Sequence, residues 1–371
     1  MNSSPELIVV PSGREHGGAE EALLQYVSFR TSHGVRPYVV VLESGSLGQA
    51  LAARDAIVTT INAGRLREIP RLIRTIQKIV AIARDEHSKI ILSWMTKAHI
   101  YGGIAGAIAG IPAVYYQMGL PDSGTIDRIC RALPAAGALA CSEFVAREQQ
   151  KKVRYPVLSA PLAADITRFE SARQLCVPKL KQDFGFDPDR PLIGIVGRLQ
   201  RWKGMHVFAE AMAKVIEAKP ACQGVIVGGP HDLEPEYADW LKQRVEALGL
   251  AKKVILAGAQ RNIPEWMQAM DIFVHASDRE PFGIVVVEAM SLGKPVIATK
   301  PGGPEEIIQD KENGLLVSAN SPAALADAVL GYLSHPDLAG RLGSAARQRA
   351  LTFTPDGFAK RVSQVLESFS R

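Results

Sequence analysis

Short runs of aliphatic residues recur along this chain and alternate with stretches whose apolar residues fall at helical spacing. Continuous Val/Ile/Leu runs bounded by turn residues suit strands covered on both faces, as in a parallel sheet flanked by helices. The runs lie at 7–10, 38–42, 90–92, 113–116, 138–141, 192–196, 224–227, 254–257, 272–275, 295–298 and 315–317. Periodic helical segments between them include 19–30, 69–84, 205–218 and 237–248. The alternation predicts α/β architecture, and 371 residues exceed one ordinary core, so two domains are expected. The pattern lapses between about 155 and 190, where Pro156, Pro161, Pro178, Pro188 and Pro191 fall. The expected organisation is an N-terminal domain over 1–160, a connection over 161–190 and a C-terminal domain over 191–371, whose last helix is free to pack back on the first domain. Two open sheets facing a central cleft would bind ligands at the carboxyl ends of their strands.

Composition narrows the function classes. A chain with 47% hydrophobic and 22% charged residues is globular rather than fibrous or disordered. Cys130, Cys141, Cys176 and Cys222 show no short paired spacing, which argues against a zinc knuckle or a disulfide framework and points to a reducing, cytoplasmic setting. The apolar stretch at 7–10 is too short for a signal peptide. No window reaches the ~18 apolar residues of a membrane span. Of the net charge of +5, the excess is N-terminal: residues 1–160 hold 18 Lys+Arg against 13 Asp+Glu, and 161–371 hold 25 against 25. No nucleic-acid motif accompanies it. The 69–84 segment puts Ile69, Leu72, Ile73, Ile76, Ile79, Val80 and Ala83 on one face and Arg71, Arg74 and Lys78 elsewhere, with Arg67 just before it. Such a helix either packs on its own sheet with a solvated basic face or touches the inner membrane peripherally.

Four motifs carry chemistry. In "IVGRLQRWKGMHVF", a strand ends at Gly197 and Arg198, and Lys203-Gly204 opens a helix; two cations there suit a diphosphate, although a solvated surface loop reads the same way. In "EPFGIVVVEAM", Glu280, Pro281 and Gly283 follow a strand and a loop. Ile284 to Leu292 then reads as a helix stopped by Gly293, with Glu280 in the loop and Glu288 one turn into the helix. The competing reading is a buried strand flanked by two surface glutamates. Gly17-Gly18 precedes a helix and permits close backbone approach by an anion, or is a plain strand-to-helix turn. Gly302-Gly303-Pro304 precedes Glu305 and Glu306, acidic residues that favour a helix start on dipole grounds alone.

Taken in order, Gly-Arg-Leu with Lys-Gly downstream, Glu280-x7-Glu288, the 302–306 stretch and Asn313-Gly314-Leu315-Leu316-Val317 resemble the retaining nucleotide-sugar glycosyltransferases of family 4. The likeness is dense over 192–317 and diffuse over 1–160. It implies the GT-B fold, with two Rossmann-like parallel-sheet domains facing a central cleft. It implies transfer from a UDP- or GDP-sugar to a glycan or lipid-linked acceptor with retention, without metal or other cofactor. By the resemblance, Arg198, Lys203 and Glu280 are catalytic, the two cations stabilising the leaving diphosphate and Glu280 contacting the sugar. Gly17, Gly18, Gly197, Phe282, Gly283, Ile284 and Val285 line the donor site. Glu288 binds ribose and Arg261 lies near the base. A GT-B nucleotide-sugar epimerase and a catalytically weak nucleotide-sugar-binding partner subunit are the alternatives.

One position departs from the pattern. Family members often carry a histidine in the loop after the 113–116 run, where this chain has Gln117 and Met118. Loss of an imidazole near the anomeric centre implies slow turnover or an unusual sugar. His99 and Lys97, in "SWMTKAHIYGG", are the other candidates for the acceptor or sugar side. The only Asp-x-Asp, Asp187-Pro188-Asp189, reads as a turn rather than a metal site.

Overall fold

Every strand pairs in parallel, as the uninterrupted aliphatic runs require. The computed structural model describes residues 2–13, 17–122 and 124–370. It divides into two units, Met1–Ala163 with Pro355–Arg371, and Ala164–Thr354. The first is built on β1 (Asn2–Val10), β2 (Val35–Val41), β3 (Ile57–Thr60), β4 (Ile90–Trp94), β5 (Ala113–Gln117), β6 (Gly137–Ala140) and β7 (Val157–Ser159), ordered β3-β2-β1-β4-β5-β6-β7. The second is built on β8 (Leu192–Val196), β9 (Gln223–Val227), β10 (Val254–Gly258), β11 (Ile272–His275), β12 (Val296–Lys300) and β13 (Leu315–Ser318), ordered β10-β9-β8-β11-β12-β13. These are two Rossmann-like α/β domains.

Two strands escape the sequence pattern, β3 and β7, and they are the two edges of the first sheet. An edge strand has one unpaired side and incomplete cover, so it needs no continuous apolar run: β3 reads IVTT and is half-buried to exposed throughout. β7 lies inside the 155–190 stretch where no strand is expected, and helices Ile166–Ala172 and Pro178–Asp183 occupy much of the remainder, within the second unit.

The cores follow the predicted faces. In the second unit, Ile193 and Ile195 of β8 pack with Val207, Phe208 and Met212 of helix Met205–Ala218. In the first, Leu7, Val9 and Ile91 meet Ile76, Ile79 and Ala83 of helix Ile69–Asp85. That helix therefore packs on its own sheet, but Ile69 and Ile73 at its start remain 54% and 50% exposed. Helix Pro355–Phe369 packs on helix Gly18–Ser32. Phe358 stacks on Tyr116, and Arg361 Nε donates to the Ser159 carbonyl at 3.0 Å. Among the described residues, no helix is long and apolar enough to cross a membrane.

In both sheets the winding direction reverses between two neighbouring strands, β1 and β4 in one and β8 and β11 in the other. The chain leaves such neighbours in opposite directions, which opens a crevice beyond their carboxyl ends where ligands of α/β sheets bind. In the second sheet, a ligand in that crevice would meet the segments following β8 and β11.

Candidate active site

β8 delivers Gly197 and Arg198, and a 3₁₀ turn, Arg201–Lys203, carries the chain to Gly204 and helix Met205–Ala218. Gly204 adopts φ +72°, and a Cβ there would lie 2.0 Å from the Ala276 carbonyl oxygen. Only glycine allows this turn to lie directly on the loop leaving β11. The Asp278 N–H donates to the Trp202 carbonyl at 2.8 Å, so the two loops at the switch point form one piece. From the other side, the Arg201 guanidinium stacks 4.5 Å over Trp240 and 5.3 Å over Tyr237, while its backbone N–H donates to Glu234 at 2.9 Å.

At the junction sits Glu280, 7% exposed. Its Oε2 accepts from Lys203 Nζ at 2.6 Å, from Ser277 Oγ at 2.9 Å and, at 3.0 Å, from His275 Nε2. Burial raises a carboxyl pKa, but here the Lys203 ammonium and the His275 contact override it and hold Glu280 well below the usual carboxylate range. The site therefore keeps a fixed anion beside a fixed cation at neutral pH. His275 and Ser277 were not among the sequence candidates. The missed signal is a histidine ending an otherwise apolar strand, five residues before a loop glutamate.

Beyond Glu280 the chain forms a helix, Ile284–Ser291, and not the buried strand of the competing reading. Gly283 at its N-cap has φ +104°, and Gly293 after its end has φ +75°. Val286, Val287, Ala289 and Met290 are buried, so tertiary packing overrides the mild helix reluctance of valine. Ile284 and Val285 lie in the first turn, whose N–H groups have no partner within the helix and suit an anion. Glu288 follows one turn later, half-buried. Phe282 is buried against Phe353 and fixes the turn from below. The Gly302-Gly303 pair braces the same turn: Gly303 N–H donates to the Glu280 carbonyl at 2.8 Å, and a Cβ on Gly303 would lie 2.3 Å from the Phe282 Cα. Its role is thus close backbone approach, which the acidic first turn of the next helix does not reveal.

Other sequence candidates are placed as follows. Arg198 is exposed on the same loop as Lys203, with Nη1 3.2 Å from His231 Nε2 rather than on Glu280. Leu233 N–H points at His231 Nδ1 from 3.2 Å, and one imidazole does not accept at both nitrogens, so His231 is a weak partner for the guanidinium. Arg261 is exposed between β10 and helix Ile263–Ala269, its carbonyl accepting from Arg168. Gly17 and Gly18 begin helix Gly18–Ser32 after β1. At the carboxyl end of β4, Lys97 is exposed. His99 is fully buried, 4.8 Å from the Tyr115 ring, and burial lowers its pKa to about 4, partly offset by the Pro134 carbonyl. Gln117, buried at the end of β5, accepts from Thr96 Oγ1 at 3.0 Å and donates to the Gly119 carbonyl at 2.9 Å. Its amide is thus occupied by its own loop and by the loop after β4. Met118 is half-buried, and its carbonyl accepts the Cys141 thiol.

Asp187 pairs with Arg190 at 2.8 Å, and its Oδ1 accepts the Asp189 N–H at 3.1 Å, which makes this segment a turn at the amino end of β8. Among the described residues no three His, Cys, Asp or Glu side chains converge as a metal site.

Residues 177–349 match the family described as "Glycosyl transferases group 1". The chain is 31% identical to the lipopolysaccharide core biosynthesis mannosyltransferase LpsB of Rhizobium meliloti, across 52% of this chain and 55% of that protein. It is 32% identical to a D-inositol 3-phosphate glycosyltransferase of Corynebacterium urealyticum, across 55% and 49%. The chain thus spans about half the length of the curated relatives it matches. Among solved structures, Anabaena Alr3699/HepE in complex with UDP and glucose superimposes with a TM-score of 0.84 at 26% identity, covering 98% of this chain and 99% of that one.

Proposed function

We propose that the protein, whose residues 177–349 match the group 1 glycosyl transferases, transfers a sugar from a UDP- or GDP-sugar to a glycan or lipid-linked acceptor with retention at the anomeric carbon. The observation that carries the reading is the Lys203–Glu280 pair, 2.6 Å apart at the switch point of the second sheet, beside the start of helix Ile284–Ser291. A cation and a helix N-terminus meeting at a crevice suit a diphosphate, and an adjacent fixed carboxylate suits sugar hydroxyls.

In this mechanism the diphosphate lies against Arg198, Lys203 and the Ile284 and Val285 amides, Glu280 accepts from the sugar hydroxyls, and Glu288 accepts from the ribose diol. Arg261 lies by the base, and Gly17 and Gly18 offer close backbone approach to an anion. The bond from the anomeric carbon to the phosphate oxygen breaks as the bond to the acceptor oxygen forms on the same face, and the acceptor's proton passes to the departing phosphate oxygen. No separate base is needed; the protein contributes positioning and charge stabilisation. We assign the chemistry no metal and place the enzyme in the cytoplasm. The exposed Ile69 and Ile73 beside Arg71 support peripheral contact with an anionic membrane surface.

The test is incubation with a panel of UDP- and GDP-sugars and glycan acceptors, with the product anomer read by NMR. Transfer with retention, undiminished by EDTA, is expected. Inversion, donor isomerisation, or donor binding without turnover contradicts the proposal.

A further inference from the structure

We infer that His275 and Ser277 are positioning residues that present Lys203 to the donor diphosphate by fixing the carboxylate with which it pairs; the inference rests on the reading of the site above. Both are buried, at 3% and 1% exposure, so neither meets a ligand directly. Both reach the same oxygen of Glu280, at 3.0 and 2.9 Å, and lie 3.0 Å from each other.

The proton inventory fixes their roles. Ser277 has one hydroxyl proton, and the carboxylate is the stronger acceptor, so Ser277 donates to Glu280, and the one hydrogen of the ring nitrogen is shared between the Ser277 oxygen and the carboxylate. The ring nitrogen on that side, Nε2, must then carry hydrogen. His275 Nδ1 is buried with no hydrogen-bond partner among the described residues. A proton there would bury an unsatisfied N–H near the Lys203 cation, whereas a bare Nδ1 leaves only an unused lone pair. His275 is thus an Nε2–H donor. Glu280 Oε2 accepts from His275, Ser277 and the Lys203 ammonium.

This arrangement sets where the ammonium goes. His275 and Ser277 on Oε2 take up part of the carboxylate's demand, so Lys203 uses one of its three N–H groups on Glu280 and keeps the others for an anion. Without His275, a buried carboxylate loses a donor and its attraction concentrates on Lys203. The pair tightens, and the ammonium is withdrawn from the phosphate. The loop that carries Ser277 is held independently, since Thr299 Oγ1 donates to the Ser277 carbonyl. Deleting the Ser277 hydroxyl therefore perturbs the carboxylate and not the loop.

The test is calorimetric titration of the whole protein with UDP, GDP, UMP and GMP, with thermal unfolding as the control for folding. His275→Leu and Ser277→Ala are expected to weaken the bound nucleoside diphosphate by about tenfold or more, as loss of a hydrogen bond to a charged group does, with the monophosphate changed by less than about twofold. His275→Gln, whose amide reaches the Nε2 position, should recover most of the loss. Equal weakening of monophosphate and diphosphate, wild-type affinity in both variants, or no recovery by glutamine overturns the inference. If His275→Leu does not fold, Ser277→Ala decides by the same ratio. A wild-type protein that binds no nucleoside diphosphate overturns the proposed function and this inference together. Normal wild-type binding with unaffected variants overturns this inference alone.

Discussion

Lys203→Met separates what the Lys203–Glu280 pair does for folding from what it does for chemistry. The two side chains are 16% and 9% exposed, and the substitution leaves a buried carboxylate without its cation. Removing one partner of a buried pair costs about 3–5 kcal/mol, and the lower end applies here because His275 and Ser277 still donate to Glu280. At about 2–4 °C per kcal/mol for a unit of this size, the transition of the second unit should fall by about 6–12 °C. Adding Glu280→Gln removes the stranded charge and should recover most of that loss. The double-mutant cycle, read by scanning calorimetry at pH 7.5, should give a coupling of about 2 kcal/mol, whereas sites that do not interact add to within about 0.5 kcal/mol. Transfer activity should follow a different pattern: about 10²–10³ lower in Lys203→Met and no better in the double variant, since stability returns and the cation does not. Additive stabilities would refute the pairing, and activity restored along with stability would refute the functional role of Lys203.

Gly303→Ala places a methyl group 2.3 Å from the Phe282 Cα and 2.5 Å from the Pro281 carbonyl, both backbone. It should cost about 1–3 kcal/mol in thermal unfolding and lower transfer by moving Glu280; an unchanged melting temperature would show that the turn has room. His99 gives a pH signature. Its pKa falls from 6.5 to about 4 on folding, so the unfolded chain takes up a proton that the native state refuses, and stability should drop as pH falls from 6.5 through 4. The full effect is worth about 3 kcal/mol, so His99→Phe should lose several degrees less than wild type between pH 7 and 4.5, and parallel melting curves would contradict this.

The sequence made the central strands plain, since β8 and β11 match their aliphatic runs residue for residue. β3 and β7 stayed hidden because partly covered edges need no unbroken apolar run. Helix Ile284–Ser291 was legible despite its valines because Pro281 and Gly283 break the chain before it and Gly293 ends it. The loops carrying Lys203 and Glu280 were legible separately. Their 2.6 Å contact spans 77 positions and arises only because β8 and β11 are neighbours, an ordering that local pattern does not encode. His275 and Ser277 were masked by the apolar strand that His275 ends and Ser277 follows, where a polar residue looks like a boundary. The internal bonds of Gln117 were likewise out of reach, since Thr96 reaches it from the loop after a neighbouring strand.

The most direct test is a structure of the protein with its cognate UDP- or GDP-sugar bound. The account predicts the pyrophosphate within hydrogen-bonding distance of Lys203 Nζ, the Arg198 guanidinium and the Ile284 amide, with a sugar hydroxyl on Glu280. A nucleotide sugar bound away from these groups would contradict it.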